Sequence, residues 1–281
     1  MYKSNRLAFL PVILLIAALF VSACQGAASI PEYVIKAKEY SFETPQEMQA
    51  GWARIHLINE GQEPHHVQFL RLKDGVTLEQ FQAALQKGEM DALPLVNFYG
   101  GVSVESPGGQ GSVVVKLAEG QYVIACFVPD DEDQVPHLAK GMIMPVKVVA
   151  GEAQTAAQAP KPDVTVTLKD FTFEMPAEVK AGKSTWEITN AGPEPHEMGW
   201  IKLAEGKTLQ DVVAAMQSNP TAMPDFIQDV GGMQALDPGM TGYVEADLTP
   251  GNYVALCFVP DPASGKPHVE LGMMMPFTVK Q

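Results

Sequence analysis

A shift of 131 residues lays the second half of this chain on the first without a gap. Asn59 falls on Asn190, His65 on His196, Thr77 on Thr208, Gly100 on Gly231, Tyr122 on Tyr253, Cys126 on Cys257, His137 on His268 and Met142 on Met273. A register held from residue 33 to the end means two copies of one folding unit, at residues 33–149 and 164–281. Residues 150–163 between them are rich in Ala, Gln, Pro and Gly and read as a flexible surface linker.

Within each copy the hydrophobic period is that of strands. Trp52 to Ile58 alternates, and in its counterpart Ser184, Trp186 and Ile188 point one way while Lys183, Thr185 and Glu187 point the other. Further strands are expected at Tyr33 to Lys38, Val67 to Leu72, Ser112 to Leu117, Gln121 to Val128 and Pro145 to Val149, with turns at Pro107-Gly108-Gly109, Pro238-Gly239 and Pro250-Gly251. Each copy also carries one short helix. Thr77 is placed to cap it with Gln80 three residues on, and Thr208 and Asp211 repeat the arrangement. The expected fold is all-β, two tandem antiparallel sandwiches.

The first 23 residues have the layout of a secretory signal: Lys3 and Arg6, an apolar run from Leu7 to Phe20 too short for an ordinary membrane span, then small residues. Val21-Ser22-Ala23-Cys24 resembles a bacterial lipobox, which implies a lipidated Cys24, a tether over residues 24–32 and an extracytoplasmic protein held at a membrane. The formal charge of −14 disfavours nucleic acid and anionic headgroups and suits a basic redox protein as partner.

Once Cys24 is set aside, two thiols remain, Cys126 and Cys257. Outside the cytoplasm two Cys residues suggest a disulfide first. Their equivalent positions in separate sandwiches argue against one. Each sits instead in a recurring order: His65 precedes Cys126 by 61 positions, Cys126 precedes His137 by 11 and His137 precedes Met142 by 5, and His196, Cys257, His268 and Met273 repeat all three intervals. Two imidazoles, a thiolate and a weak thioether form the donor set that suits copper in both of its oxidation states.

At these residues the chain resembles the plastocyanin-like cupredoxins. The pattern Gly-x-Tyr-x-x-x-Cys appears at Gly120 to Cys126 and Gly251 to Cys257, and His-x-x-x-Gly-Met appears at His137 to Met142 and His268 to Met273. Asn-x-Gly followed by Pro-His appears at Asn59 to His65 and Asn190 to His196. The resemblance implies two Greek-key sandwiches with one type 1 copper each. Cys126 and Cys257 would be the thiolates, His65, His137, His196 and His268 the imidazoles, and Met142 and Met273 the axial thioethers. His137 and His268 would be partly exposed edges through which electrons pass. Two features depart from the family: ten residues separate each Cys from its second His, and His66 or Glu197 stands where Asn is usual.

The resemblance implies a one-electron carrier. A copper chaperone or sequestration protein is the alternative suggested by Met144 and by Met273 to Met275, and a metal-free interaction module is the alternative suggested by the two departures. Oxidases and nitrite reductases built on this architecture need additional imidazoles; of six His, four belong to the two sites, and no His-x-His occurs. His56 and His66 have no His counterpart in the second copy, where Glu187 and Glu197 stand instead, and are expected at the surface.

Overall fold

The computed structural model describes residues 29–151, 157–218 and 224–281. The signal sequence, the lipobox at Cys24 and most of the tether lie outside these residues, as does the middle of the linker. Among the described residues no helix is long and apolar enough to cross a membrane.

Among the described residues nine strands form in each half. The first half runs β1 (Glu32–Lys38), β2 (Ser41–Glu43), β3 (Glu47–Gln49), β4 (Gly51–Asn59), β5 (Gln68–Leu72), β6 (Val96–Phe98), β7 (Gln110–Leu117), β8 (Gly120–Ala125) and β9 (Ile143–Val149). The second repeats them in order as β10 (Val164–Lys169), β11 (Thr172–Glu174), β12 (Glu178–Lys180), β13 (Gly182–Asn190), β14 (His196–Leu203), β15 (Ile227–Leu236), β16 (Thr241–Leu248), β17 (Gly251–Leu256) and β18 (Met274–Lys280). The three-residue strands β2, β3 and β6 escape sequence reading because three residues are too few to display an alternation.

Each half is a two-sheet sandwich. In the first, β2-β1-β4-β7 faces β3-β9-β8-β5-β6, and the second half has the same orders nine numbers on. Apart from the short excursion to β3, the chain passes from one sheet to the other between β4 and β5, returns between β6 and β7 and crosses again between β7 and β8, a Greek-key path. β1 with β4 and β3 with β9 are parallel pairs within otherwise antiparallel sheets. The inward residues fill the space between sheets: Ile35, Ile55 and Leu57 meet Phe69, Tyr122 and Val146 in the first half. In the second, the Trp186 and Trp200 rings pack 4.8 Å apart, with Phe277 against both.

The helix α1 (Leu78–Leu85) begins in the expected capping box, in which Gln80 N–H donates to Thr77 Oγ1 at 3.2 Å and Thr77 N–H to Gln80 Oε1 at 2.9 Å. The first half adds a short second helix, α2 (Glu89–Ala92), beyond the single one expected. In the second half α3 (Leu209–Ser218) is preceded by Thr208, whose hydroxyl donates to Asp211 at 2.8 Å.

The halves join through equivalent surfaces. β7 and β16 pair antiparallel at Val113 with Val244, positions related by the 131-residue shift, so the two four-stranded sheets fuse into one of eight strands. A second ribbon pairs Val102 with Met233, again equivalent positions, flanked by Tyr99 with Leu236 and Glu105 with Val230. This is the isologous contact of a two-fold dimer within one chain. Arg54, by contrast, makes a two-pronged ion pair with Glu245 at 2.7 and 2.9 Å that has no counterpart, because Thr185 and Val114 stand at the equivalent positions.

Candidate metal centres

The first ligand candidate of each half enters from a braced loop. Asn59, at the end of β4, donates from Nδ2 to the Glu63 and Glu105 carbonyls at 2.8 Å each, and its Oδ1 accepts from Gly61 N–H at 2.9 Å. Asn190 does the same with Glu194, Leu236 and Gly192. The glycine of this motif is required by packing, since a Cβ at Gly61 or Gly192 would lie 2.7 Å from Nε2 of His65 or His196. The resulting short pairing of His65 with Glu105 carries the interface too, because Glu105 also bridges Val230 of the other half.

Cys126 lies just past the end of β8, where the strand gives way to the ligand loop earlier than the expected Val128. Cys126 N–H donates to the Met142 carbonyl, Leu138 N–H to the Cys126 carbonyl and Met142 N–H to the His137 carbonyl. The chain can close this way because Gly141, like Gly272, has φ above +100°, a conformation open to a residue without Cβ. Met142 and Met273 are fully buried. Met144 and Met275, in contrast, belong to β9 and β18 and pack on the core.

Three donor atoms converge in each half. His65 Nδ1 and His137 Nδ1 are 3.1 Å apart and Cys126 Sγ is 3.5 Å from His137 Nδ1; the second half repeats this at 3.0 and 3.4 Å among His196, His268 and Cys257. All three donors of each set lie within 4.8 Å of one another and all six residues are buried. Each half thus has the two-sheet fold and the His-Cys-His set that the resemblance to the cupredoxins implies.

The donor chemistry fits a single bound cation. A triangle of this size leaves room at its centre for one metal ion about 2 Å from each corner, the length of a bond from a first-row metal to imidazole or thiolate. The outer nitrogens fix the tautomers. His137 Nε2–H donates to Glu63 at 2.8 Å and His196 Nε2–H to Asp170 at 2.6 Å, so that in both rings the lone pair is on Nδ1 and faces the cluster. His65 Nε2 is 3.7 Å from Glu39 and His268 Nε2 is 3.3 Å from Glu194, near but unaligned for a hydrogen bond. Burial, aided by the neighbouring imidazoles, lowers His65 and His268 to about 4, which keeps them neutral and able to bind a cation. Burial pushes the Cys126 thiol up to about 12 and the Cys257 thiol well above its ordinary value, so that only a bound cation would hold either as thiolate near neutrality. Neither thiol is in a disulfide.

Two expectations are overturned. His66 is buried, not superficial: its ring stacks on Phe127 and Nε2 accepts the Phe127 N–H at 2.8 Å. Glu197 replaces it by accepting the Phe258 N–H at 2.7 Å. Each thus ties the residue after the Cys to the residue after the first His, a bracing role that the change from Asn leaves in place. His56 is half-buried, with Nδ1 2.8 Å from Ser112 Oγ. Nor are the second histidines exposed edges, since His137 and His268 are both 0% accessible. The Tyr40 ring covers His137 edge-on at 5.3 Å and Phe171 covers His268 at 4.8 Å. At the second site the exposed group is Phe258, directly after Cys257 and 52% accessible.

Sequence reading also missed the residue that shapes the long loop. Asp130, almost wholly buried, accepts the Glu132 and Asp133 N–H groups through Oδ1, while Pro129 bridges Pro136. Asp261 accepts from Ala263 and Ser264, and Pro260 bridges Pro267. The repeated Val-Pro-Asp at 128–130 and 259–261 was the available signal.

No protein-family model and no curated protein matches the sequence. Solved structures similar to this chain include auracyanin from the photosynthetic bacterium Roseiflexus castenholzii, 19% identical, covering 43% of this chain and 98% of its own length with a TM-score of 0.30. Auracyanin A, a blue copper protein from Chloroflexus aurantiacus, is 17% identical and covers 42% of this chain and 99% of its own, with a TM-score of 0.28. Copper nitrite reductase from Nitrosomonas europaea is 12% identical and covers 90% of this chain and 94% of its own, with a TM-score of 0.26.

Proposed function

We propose that this cupredoxin-like protein binds one type 1 copper in each domain and carries single electrons. The observation that carries the reading is the convergence of Cys126 with His65 and His137, and of Cys257 with His196 and His268, at hydrogen-bonding distances in buried sites. Bound copper would supply a one-electron couple with little change of ligand geometry. The chain's part is to hold the donors in place in both oxidation states. Glu63 and Asp170 fix the imidazole tautomers, His66 and Glu197 pin the ligand loops, and Tyr40 and Phe171 keep water from the rings.

The further parts of the reading concern where and with what the protein works. A lipidated Cys24 would hold it at the outer face of a membrane. The exposed Asp131, Glu132 and Asp133 beside His137 would favour a basic redox protein as partner. A carrier is preferred to an enzyme because His56 and His66, the histidines outside the two donor sets, are engaged with Ser112 and Phe127. Loading the purified protein with Cu(II) should develop intense thiolate-to-copper absorption in the visible at two coppers per chain, bleached reversibly by one electron per copper. Two coppers without that absorption, or Cu(I) bound without a reversible couple, would leave sequestration as the function.

A further inference from the structure

We infer that the second domain presents a docking face of its own, fitted to an uncharged, apolar one-electron partner. The Phe258 ring is its anchor and the first group an electron crosses on its way to or from Cys257. The inference rests on the copper reading above and adds a second class of partner to it.

The second histidines offer no way in. His137 and His268 are 0% accessible, and Phe171 covers His268 at 4.8 Å. Phe258, by contrast, is joined to Cys257 by one peptide bond and is 52% accessible. No other Phe, Tyr or Trp among the described residues is exposed.

One substitution places the ring there. In the first domain Phe127 stacks on His66, with centroids 6.0 Å and planes 4° apart, and is half-buried. Glu197 offers no ring to stack on. It keeps only the main-chain contact, accepting the Phe258 N–H at 2.7 Å, so the backbone is pinned while the side chain stands in water. A pinned aromatic loses little freedom when a partner covers it, and covering it removes apolar surface from water.

The neighbouring charges select the partner. Between the bridged prolines the second loop exposes Pro262, Ala263, Ser264 and Gly265, where the first exposes Asp131, Glu132, Asp133 and Gln134. Lys140 pairs with Asp133 at 3.0 Å in the first, and Lys266 is balanced by Glu270 in the second. Two exposed carboxylates are thus left unbalanced on the first loop and none on the second. The carboxylates nearest the second set, Asp170 and Glu194, lie 2.6 and 3.3 Å from its imidazoles. A basic partner suits the first loop, whereas at the second an apolar surface gains contact with Phe258 and a positive one gains little. On a chain of formal charge −14 the two domains therefore offer chemically distinct faces, one for each side of a relay. Each encounter moves one electron, oxidising the site by one and reducing the partner's acceptor by one, with no bond made or broken.

The test uses copper-loaded Cys126→Ser protein, which keeps only the second centre. It is reduced and mixed with oxidised ferrocenecarboxylate, an apolar one-electron acceptor with no net charge, while the return of the visible band is timed. Adding Phe258→Ala should slow the reaction roughly tenfold at equal driving force, the scale of loss when an aromatic anchor is cut back, and Phe258→Trp should keep the rate. With hexaammineruthenium(II), a hydrophilic cation, as reductant, added salt should slow the centre left in Cys257→Ser by about tenfold or more and the one left in Cys126→Ser much less. A rate untouched by Phe258→Ala, or equal salt effects at both centres, would overturn the inference. A readout without copper is the metal-free Cys126→Ser/Cys257→Ser protein, in which the same paramagnetic ferrocenium probe should broaden the amide NMR signals of Phe258 and Ala263 and spare those of Phe127 and Glu132; equal broadening would also overturn it. If the parent chain sediments as a dimer that Phe258→Ala dissociates, the face belongs to a second copy and the inference fails. Absence of colour from the parent protein would sink the copper reading, and the NMR contrast would still decide whether the face exists.

Discussion

The two ligand loops follow one backbone path with different chemistry holding it. In the first domain the buried Asp130 is gripped by Lys140 at 2.5 Å and by the Tyr40 hydroxyl, and these partners hold its carboxyl well below the usual range. In the second, Phe171 and Leu271 occupy those positions, and Asp261 relies on the Ser264 hydroxyl and backbone N–H groups. The difference shows that the Val-Pro-Asp turn and the bridge between prolines suffice to shape the loop. The groups around it are then free to diverge, and with them the electrostatics of the two centres.

The strongest test of equivalence removes one thiol at a time. Cys126→Ser and Cys257→Ser should each abolish about half of the copper-thiolate absorption, and the double variant all of it; loss of the whole band from one change would mean that only one domain is a metal site. Next in size, Gly61→Ala and Gly192→Ala should each weaken copper at the altered site by roughly tenfold or more, as is typical when the support behind a ligand is disturbed. Their added methyl falls 2.7 Å from the ligand ring in both domains, so competition with a copper chelator should show matched losses.

A smaller effect should separate the domains. Asp130→Ala leaves Tyr40 without its carboxylate and Lys140 with the half-exposed Asp133 alone, whereas Asp261→Ala leaves only Ser264 and backbone donors. The melting temperature of the metal-free protein should therefore fall further for Asp130→Ala, and an equal fall would show that the Lys140 ion pair adds nothing to the loop.

The smallest expected difference lies at the junction. Asp229 stands where the first domain has Phe98, and burial raises its carboxyl to about 6. A carboxyl raised in the folded state keeps its proton more firmly there than in the unfolded chain. Its unfavourable contribution is thus absent below the ordinary carboxylate range and grows as pH rises from about 4 through 6. Melting of the metal-free protein should lose on the order of 1 kcal/mol across that window, after allowance for partial solvent access, and Asp229→Asn should remove this part of the loss. An unchanged profile in Asp229→Asn would place the carboxyl in solvent.

Much of this was readable from the chain before folding. The alternation of Trp186 and Ile188 with Thr185 and Glu187 reports β13, because side chains on a strand must alternate between core and water. The capping pair Thr77 and Gln80 is equally local. The eight proposed ligands could be named through repeated spacing and family resemblance, since a donor set is chosen by chemistry that the residue type already carries. Asp130, His66 and the shielding of His137 could not be read this way, because burial and partnership depend on residues far apart in sequence.

The sequence by itself determined the duplication, the strand-rich sandwich class and the identity of the candidate donors, all of which rest on periodicity and side-chain type. Tertiary structure alone decided that the two halves fuse through equivalent strands, that Tyr40 and Phe171 close over the second histidines, and that His66 and Glu197 become buried braces. The physical reason is that a side chain's charge and donor capacity are fixed when it is synthesised, whereas its solvent, its neighbours and its field exist only once distant segments have packed around it.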